Sequence, residues 1–287
     1  SFKKQVCQFS LLKISKIKSI EMGSPKKLKI LIANYYPWII LFFILLIGFI
    51  VRIFPIIRWG YPPHTGPDLT FHAFAPLWIK EYGLAPFPEF SWHLAGESPL
   101  SQPPLHRFLG IISSYFAEPS NASYMGVVIV SLIGMIAIFL LLKKLFSVEI
   151  ALLTTFIAAV LPSNALGFIN GYYLTYTGFN TLFLVFLGTV YYLFNPNRLT
   201  FIFLTACNFL AIIGYTVNII TITLFMGFMI VLSFLKKDFE RALFLFLSFA
   251  IALILALPHL RFFFKFYYLG GVAKSGITEQ ISYPLIE

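Results

Sequence analysis

Seven apolar runs decide what this chain can become, at residues 35–57, 124–142, 148–161, 178–194, 199–215, 219–235 and 242–258. Most approach the roughly 20 residues that a helix needs to cross the hydrocarbon core of a bilayer. Strands of a membrane barrel would alternate apolar and polar residues, and these runs do not. The expectation is an all-α, polytopic transmembrane helical bundle of about seven spans. Composition agrees: hydrophobic residues make up 59% of the chain and charged ones 11%, with 34 Phe and 15 Tyr. A soluble domain carries about a quarter charged residues.

The net charge of +10 is explained by topology rather than by nucleic acid, which is not an expected partner. Much of the excess precedes the first run, at Lys3, Lys4, Lys13, Lys16, Lys18, Lys26, Lys27 and Lys29. Basic residues flanking a span mark the cytoplasmic side and can hold anionic headgroups. Residues 1–34 therefore read as a basic cytoplasmic segment, and residues 35–287 as the transmembrane domain, with the amino terminus inside. The connections at Lys143-Lys144, at Asn195-Pro196-Asn197-Arg198 and from Lys236 to Arg241 then also fall inside. The opposite connections, 162–177 and 216–218, carry no Lys or Arg. A large outer loop spans 58–123, and the Asn121-Ala122-Ser123 sequon falls on its side. The expected location is the cell membrane.

Cys7 and Cys207 have neither a disulfide nor a metal-ligand spacing between them. No cleavable signal peptide is evident. A start without Met and an abrupt end at Glu287 suggest a longer parent chain, with further spans or a soluble domain beyond. Residues 105–116 are too short to cross unaided, and crossing would move both lysine pairs outside. An interfacial or re-entrant helix opened by Pro103-Pro104 is expected there.

The outer loop concentrates the ionisable groups. It holds His64, His72, His93 and His106 with Asp68, Glu81, Glu89, Glu97 and Glu118. Asp68 is one of two aspartates in the chain, the other being Asp238. If the chain is helical from Asp68 onward, His72 lies one turn away on the same face. The pair can hold a divalent cation such as Mn²⁺, Mg²⁺ or Zn²⁺ through carboxylate oxygen and imidazole nitrogen. Alternatively Asp68 acts as a general base toward an attacking hydroxyl, with His72 tuning it or contacting phosphate. The structural alternative is an aspartate capping an interfacial helix after Pro67. Complete metallohydrolase, serine-hydrolase and phosphate-loop motifs are missing.

Four elements together carry a family likeness: Pro67-Asp68-Leu69-Thr70-Phe71-His72, Pro103-Pro104-Leu105, Lys143-Lys144-Leu145-Phe146 and Ala158-Ala159-Val160-Leu161-Pro162. Over about residues 35–194 the chain resembles the membrane core of GT-C glycosyltransferases. That group includes protein O-mannosyltransferases, aminoarabinose transferases and oligosaccharyltransferases. The likeness extends to archaeal and bacterial multi-pass proteins with a Pro-Asp-x-x-Phe-His-like loop. It implies transfer of a sugar from a polyprenyl phosphate or diphosphate to an acceptor on the outer face. It also implies a catalytic role for Asp68, as base or metal ligand, with a divalent cation (Mn or Mg) as possible cofactor. His72 would contact metal or phosphate.

The second outer loop departs from the family pattern. Where many members carry an acidic residue, this chain offers Asn170 and Asn180 to hydrogen-bond a sugar and Tyr172, Tyr173 and Tyr176 to stack on one. Metal-free catalysis by Asp68 is the simpler expectation on that ground. Arg107, Arg261 and Lys265 can bind a lipid phosphate, or snorkel to headgroups. Asn208 and Asn218 are expected to form interhelical hydrogen bonds. Two other functions fit the same composition. A transporter or channel would place its ionisable groups near the membrane midplane. A non-catalytic scaffold would keep the fold without the chemistry.

Overall fold

A computed structural model describes residues 25–60, 89–91, 96–98, 104–117, 119–161 and 173–267. The chain divides into two compact units, Ser1–Phe43 and Ile44–Glu287. In the first, the described residues form the opening part of helix α1 (Pro25–Trp59), which continues past the division. Pro25 suits a helix start, since its missing N–H has no partner there anyway. The helix begins well before the apolar run, so residues 25–34 of the basic segment are helical.

In the second unit, α1 is followed by α2 (Pro104–Ser113), α3 (Pro119–Leu145), α4 (Val148–Val160) and α5 (Tyr173–Phe194). Helices α6 (Arg198–Gly214), α7 (Asn218–Leu235) and α8 (Phe239–Tyr267) complete it. Among the described residues one small hairpin was not foreseen: β1 (Glu89–Ser91) pairs antiparallel with β2 (Gly96–Ser98), Phe90 opposite Glu97.

Among the described residues five helical segments are long and apolar enough to cross a membrane: Tyr35–Trp59, Tyr124–Leu145, Thr175–Phe194, Asn218–Leu235 and Phe239–Leu260. The chain is a multi-pass membrane protein. The other two apolar runs form α4, of 13 residues, and α6, of 17 residues. The helix of the third run ends at Val160, and Leu161 after it is extended (φ −61°, ψ 123°). Helix α2 has 10 residues, so it rises only about 15 Å, half the hydrocarbon thickness. It lies against α3, where a Cβ on Gly126 would meet Leu109.

The main core forms where α5, α6, α7 and α8 meet, around Val185, Leu204, Ile212, Ile222, Met226 and Leu245. Without a hydrophobic drive between helices in lipid, small residues that allow close backbone approach carry much of the association. A Cβ on Gly178 would sit 2.5 Å from Tyr215 Cβ, and one on Gly188 3.1 Å from Leu204 Cα. Asn208 of α6 donates to Ser248 Oγ of α8 at 2.9 Å, an interhelical bond of the expected kind. Outward-facing positions stay apolar, among them Leu224, Phe228, Ile254 and Leu257.

The two ends of this unit differ chemically. One end gathers Lys143 and Lys144 of α3, Arg198 of α6, Lys236 and Lys237 of the α7–α8 turn, and Arg241 of α8. Lys144 Nζ stands 4.9 Å over the Phe194 ring, which ties the last turns of α3 and α5 to the same end. At the other end, Asn121 of α3 reaches back to the Gly60 carbonyl after α1, a long contact of 3.4 Å. Asn121 is buried within α3, so its sequon is not presented as an acceptor.

Candidate functional site

Arg52 lies on α1, in the larger unit, and is 2% exposed. A buried cation costs several kcal/mol of desolvation unless hydrogen bonds compensate it. Here the compensation comes from three helices. Nε donates to Ser131 Oγ of α3 at 2.8 Å. One terminal nitrogen donates to the backbone carbonyls of Gly48 and Ala159, each at 3.0 Å. The other donates to the Ala158 carbonyl at 3.3 Å. The planar fork of arginine can serve several acceptors at once, which a lysine ammonium cannot do in the same geometry.

Ala158 and Ala159 are the key to this arrangement. With 13 residues, α4 rises about 20 Å, less than the roughly 30 Å of a hydrocarbon core. The last carbonyls of any helix lack intrahelical partners, and in hydrocarbon each orphan costs several kcal/mol. The Leu161 N–H closes onto the Ile157 carbonyl, and Arg52 takes the next two. Its positive charge also meets the negative end of the helix dipole. Arg52 is thus the C-terminal cap of α4. The close approach that this needs is supplied by Gly48, where a Cβ would lie 3.3 Å from Ala159 Cβ and 2.9 Å from Met135 Cε.

Two tyrosines complete the cluster. Pro55 cannot donate to the helix ladder, which leaves the preceding turn of α1 a hydrogen bond short. In that turn the fully buried Tyr124 of α3 donates its hydroxyl to the Arg52 carbonyl. Tyr176 of α5 packs against the cluster of Tyr124, Val127 and Val128. Arg52 lies seven residues before Trp59, the end of α1, so the cluster sits about 10 Å in from the less basic end.

A second polar group occupies the same end, without formal charge. Asn218, at the start of α7, donates to the carbonyls of Gly178 at 3.0 Å and Ala211 at 3.1 Å. Thr216 Oγ1 and His259 Nε2 are hydrogen-bonded at 2.8 Å, just after Pro258 interrupts α8. Asn180 is also committed: its amide donates to the Tyr176 carbonyl, and its side chain fills the space beside Gly134.

This chain matches no protein-family model and no curated protein.

Of the site residues expected from sequence, Asp68, His72, Asn170 and Tyr172 lie outside the described residues. Arg107 falls in the first turn of α2 and Arg261 in the later part of α8. Tyr176 is brought into the Arg52 cluster. Among the described residues no three His, Cys, Asp or Glu side chains gather as metal ligands. Sequence reasoning passed over Arg52, although a charge inside an apolar run is itself the signal that finds it. His259 was passed over as well, and its neighbour Pro258 offered a weaker cue.

Proposed function

We propose that this chain is an integral-membrane glycosyltransferase of the GT-C type. It takes a sugar from a polyprenyl phosphate or diphosphate and passes it to an acceptor at the outer face of the cell membrane. In this reading α4 and α6 complete seven spans, the amino terminus is inside, and 58–123 is the outer loop. Asp68 serves as base toward the acceptor or as ligand to a divalent cation. His72, Arg107, Asn170, Tyr172, Tyr176 and Arg261 contact the donor or the sugar.

One observation carries the reading. The segment bearing Asp68 begins after Gly60, whose carbonyl accepts a hydrogen bond from Asn121 near the start of α3. Helix α4 finishes at the same end, where its Ala158 and Ala159 carbonyls accept from Arg52. Both loops of the family pattern therefore start from one face, opposite the lysine pairs. Arg52 also gives a physical reason for the Ala158-Ala159-Val160-Leu161-Pro162 element, since a helix that stops there needs a donor for its carbonyls.

Purified protein supplied with polyprenyl-phosphate sugars and candidate acceptors should consume donor. Asp68→Asn should abolish turnover while the protein remains folded; turnover that survives the substitution removes Asp68 from the mechanism.

Arg52 favours a second reading, because buried charges at broken helices line many transport sites. Yet four of its hydrogen bonds go to this chain's own groups, which suits a cap better than a substrate site. A transporter would move solute into proteoliposomes without consuming lipid donor.

A further inference from the structure

The turn between α7 and α8 holds a lysine in a backbone conformation that favours glycine. Lys237 has φ 59°, and among the described residues it is the one non-glycine residue with positive φ. The turn is a Schellman motif: the Asp238 N–H bonds to the Ser233 carbonyl at 2.9 Å and the Lys237 N–H to the Phe234 carbonyl at 2.8 Å. Glycine dominates the left-handed position of such motifs because a Cβ is unfavourable there. A Cβ at this position costs backbone energy whatever charge the side chain carries, which a favourable contact of the lysine would offset.

The surroundings indicate what that contact is. Lys236 and Lys237 are exposed, while the ion pair described at this turn joins Arg241 to Asp238 at 3.2 Å. Lys144 and Arg198 are exposed at the same end. Between the cations stand large exposed apolar side chains: Phe146 at 62%, Leu199 at 78%, Leu235 at 74% and Phe239 at 61%. Cations alternating with apolar groups at helix ends match the boundary between headgroups and acyl chains. Counting the charged residues of this rim, Lys143, Lys144, Arg198, Lys236, Lys237 and Arg241 outnumber Glu149, Asp238 and Glu240.

We infer that this rim is a binding surface for anionic phospholipid headgroups, with Lys236-Lys237 as its focus. The proposal is independent of sugar transfer. Each cation near an anionic membrane surface contributes about a fivefold gain in binding, and salt screens it.

The test uses the full chain in nanodiscs of phosphatidylcholine alone or with phosphatidylglycerol. Wild type should show a higher Tm with phosphatidylglycerol, and 0.5 M salt (on the order of a 4 Å Debye length) should remove the difference. Lys237→Gly separates backbone from charge. It should raise Tm in phosphatidylcholine alone, because strain is relieved, while reducing the phosphatidylglycerol increment. Native mass spectrometry should show about fivefold weaker retention of phosphatidylglycerol for that variant. Lys236→Gln combined with Lys237→Gly should lower it further. Equal Tm for wild type in both lipids would overturn the proposal, as would a full phosphatidylglycerol increment in the double variant.

Discussion

Arg52 is the residue on which the described architecture depends most. Removing its side chain strands the Ala159 carbonyl in apolar surroundings and takes a donor from the Ala158 carbonyl and the Ser131 hydroxyl. Unsatisfied buried groups cost roughly 1–3 kcal/mol each, so Arg52→Leu should destabilise the protein by about 3–5 kcal/mol. Arg52→Lys keeps the charge but not the fork, and should fall between wild type and Arg52→Leu in thermal unfolding in micelles. If Arg52→Leu were neutral, the capping role would be wrong. Glycines supply a second test at this scale. Gly178→Ala should cost about 1–3 kcal/mol, because Tyr215 Cβ is fixed by its backbone and cannot move aside. Gly227 on α7 faces open space, so Gly227→Ala should stabilise by up to ~1 kcal/mol through helix propensity alone. The opposite signs make the pair informative.

The elements show what apolar periodicity can and cannot reveal. Each of the seven apolar runs forms a helix, two of them without their last residues, Leu161 and Tyr215, since length and composition determine that much. Their ends were less legible. The start of α6 is signalled locally: Asn197 accepts from the Leu199 and Thr200 N–H groups, and Thr200 answers in a capping box. The end of α4 is not, because what stops it is a proline after Leu161 together with a guanidinium 107 residues earlier than Ala159. That pairing is a tertiary event, invisible to any window along the chain. Asn121 illustrates the opposite error. Its sequon is a local pattern, and burial inside α3 overrides it. The candidate site was only partly legible for the same reason. Tyr176 stood out as an aromatic near a loop, whereas Tyr124 and Ser131 acquire meaning from Arg52 across the helix contact. The hairpin at Glu89–Ser91 and Gly96–Ser98 had no alternating run long enough to reveal it.

For the larger unit taken whole, asymmetry between its ends is the organising fact. Lysine pairs, Arg198 and Arg241 gather where α3, α5 and α7 finish, while Arg52, Arg58, Arg107, Arg261 and Lys265 fall toward the opposite end, with buried tyrosine, threonine and asparagine and the half-buried His259. In the proposed topology the end opposite the lysine pairs is outside, along with the loop that carries Asp68. Turnover that depends on Asp68 would make that face an active site, and failure of Asp68→Asn to reduce turnover would leave it without this chemistry. The lipid-binding rim stands or falls separately at the other end.

Sidedness is the claim on which the account rests, and cysteine labelling measures it directly. With Cys7 replaced by serine and the buried Cys207 retained as an unreactive background, single cysteines are placed at Asp68, Ala165, Lys144 and Lys237. A membrane-impermeant maleimide applied to intact cells should label the first two and spare the last two until the membrane is permeabilised. Labelling of position 68 together with position 237 from the same side would contradict the two-ended arrangement.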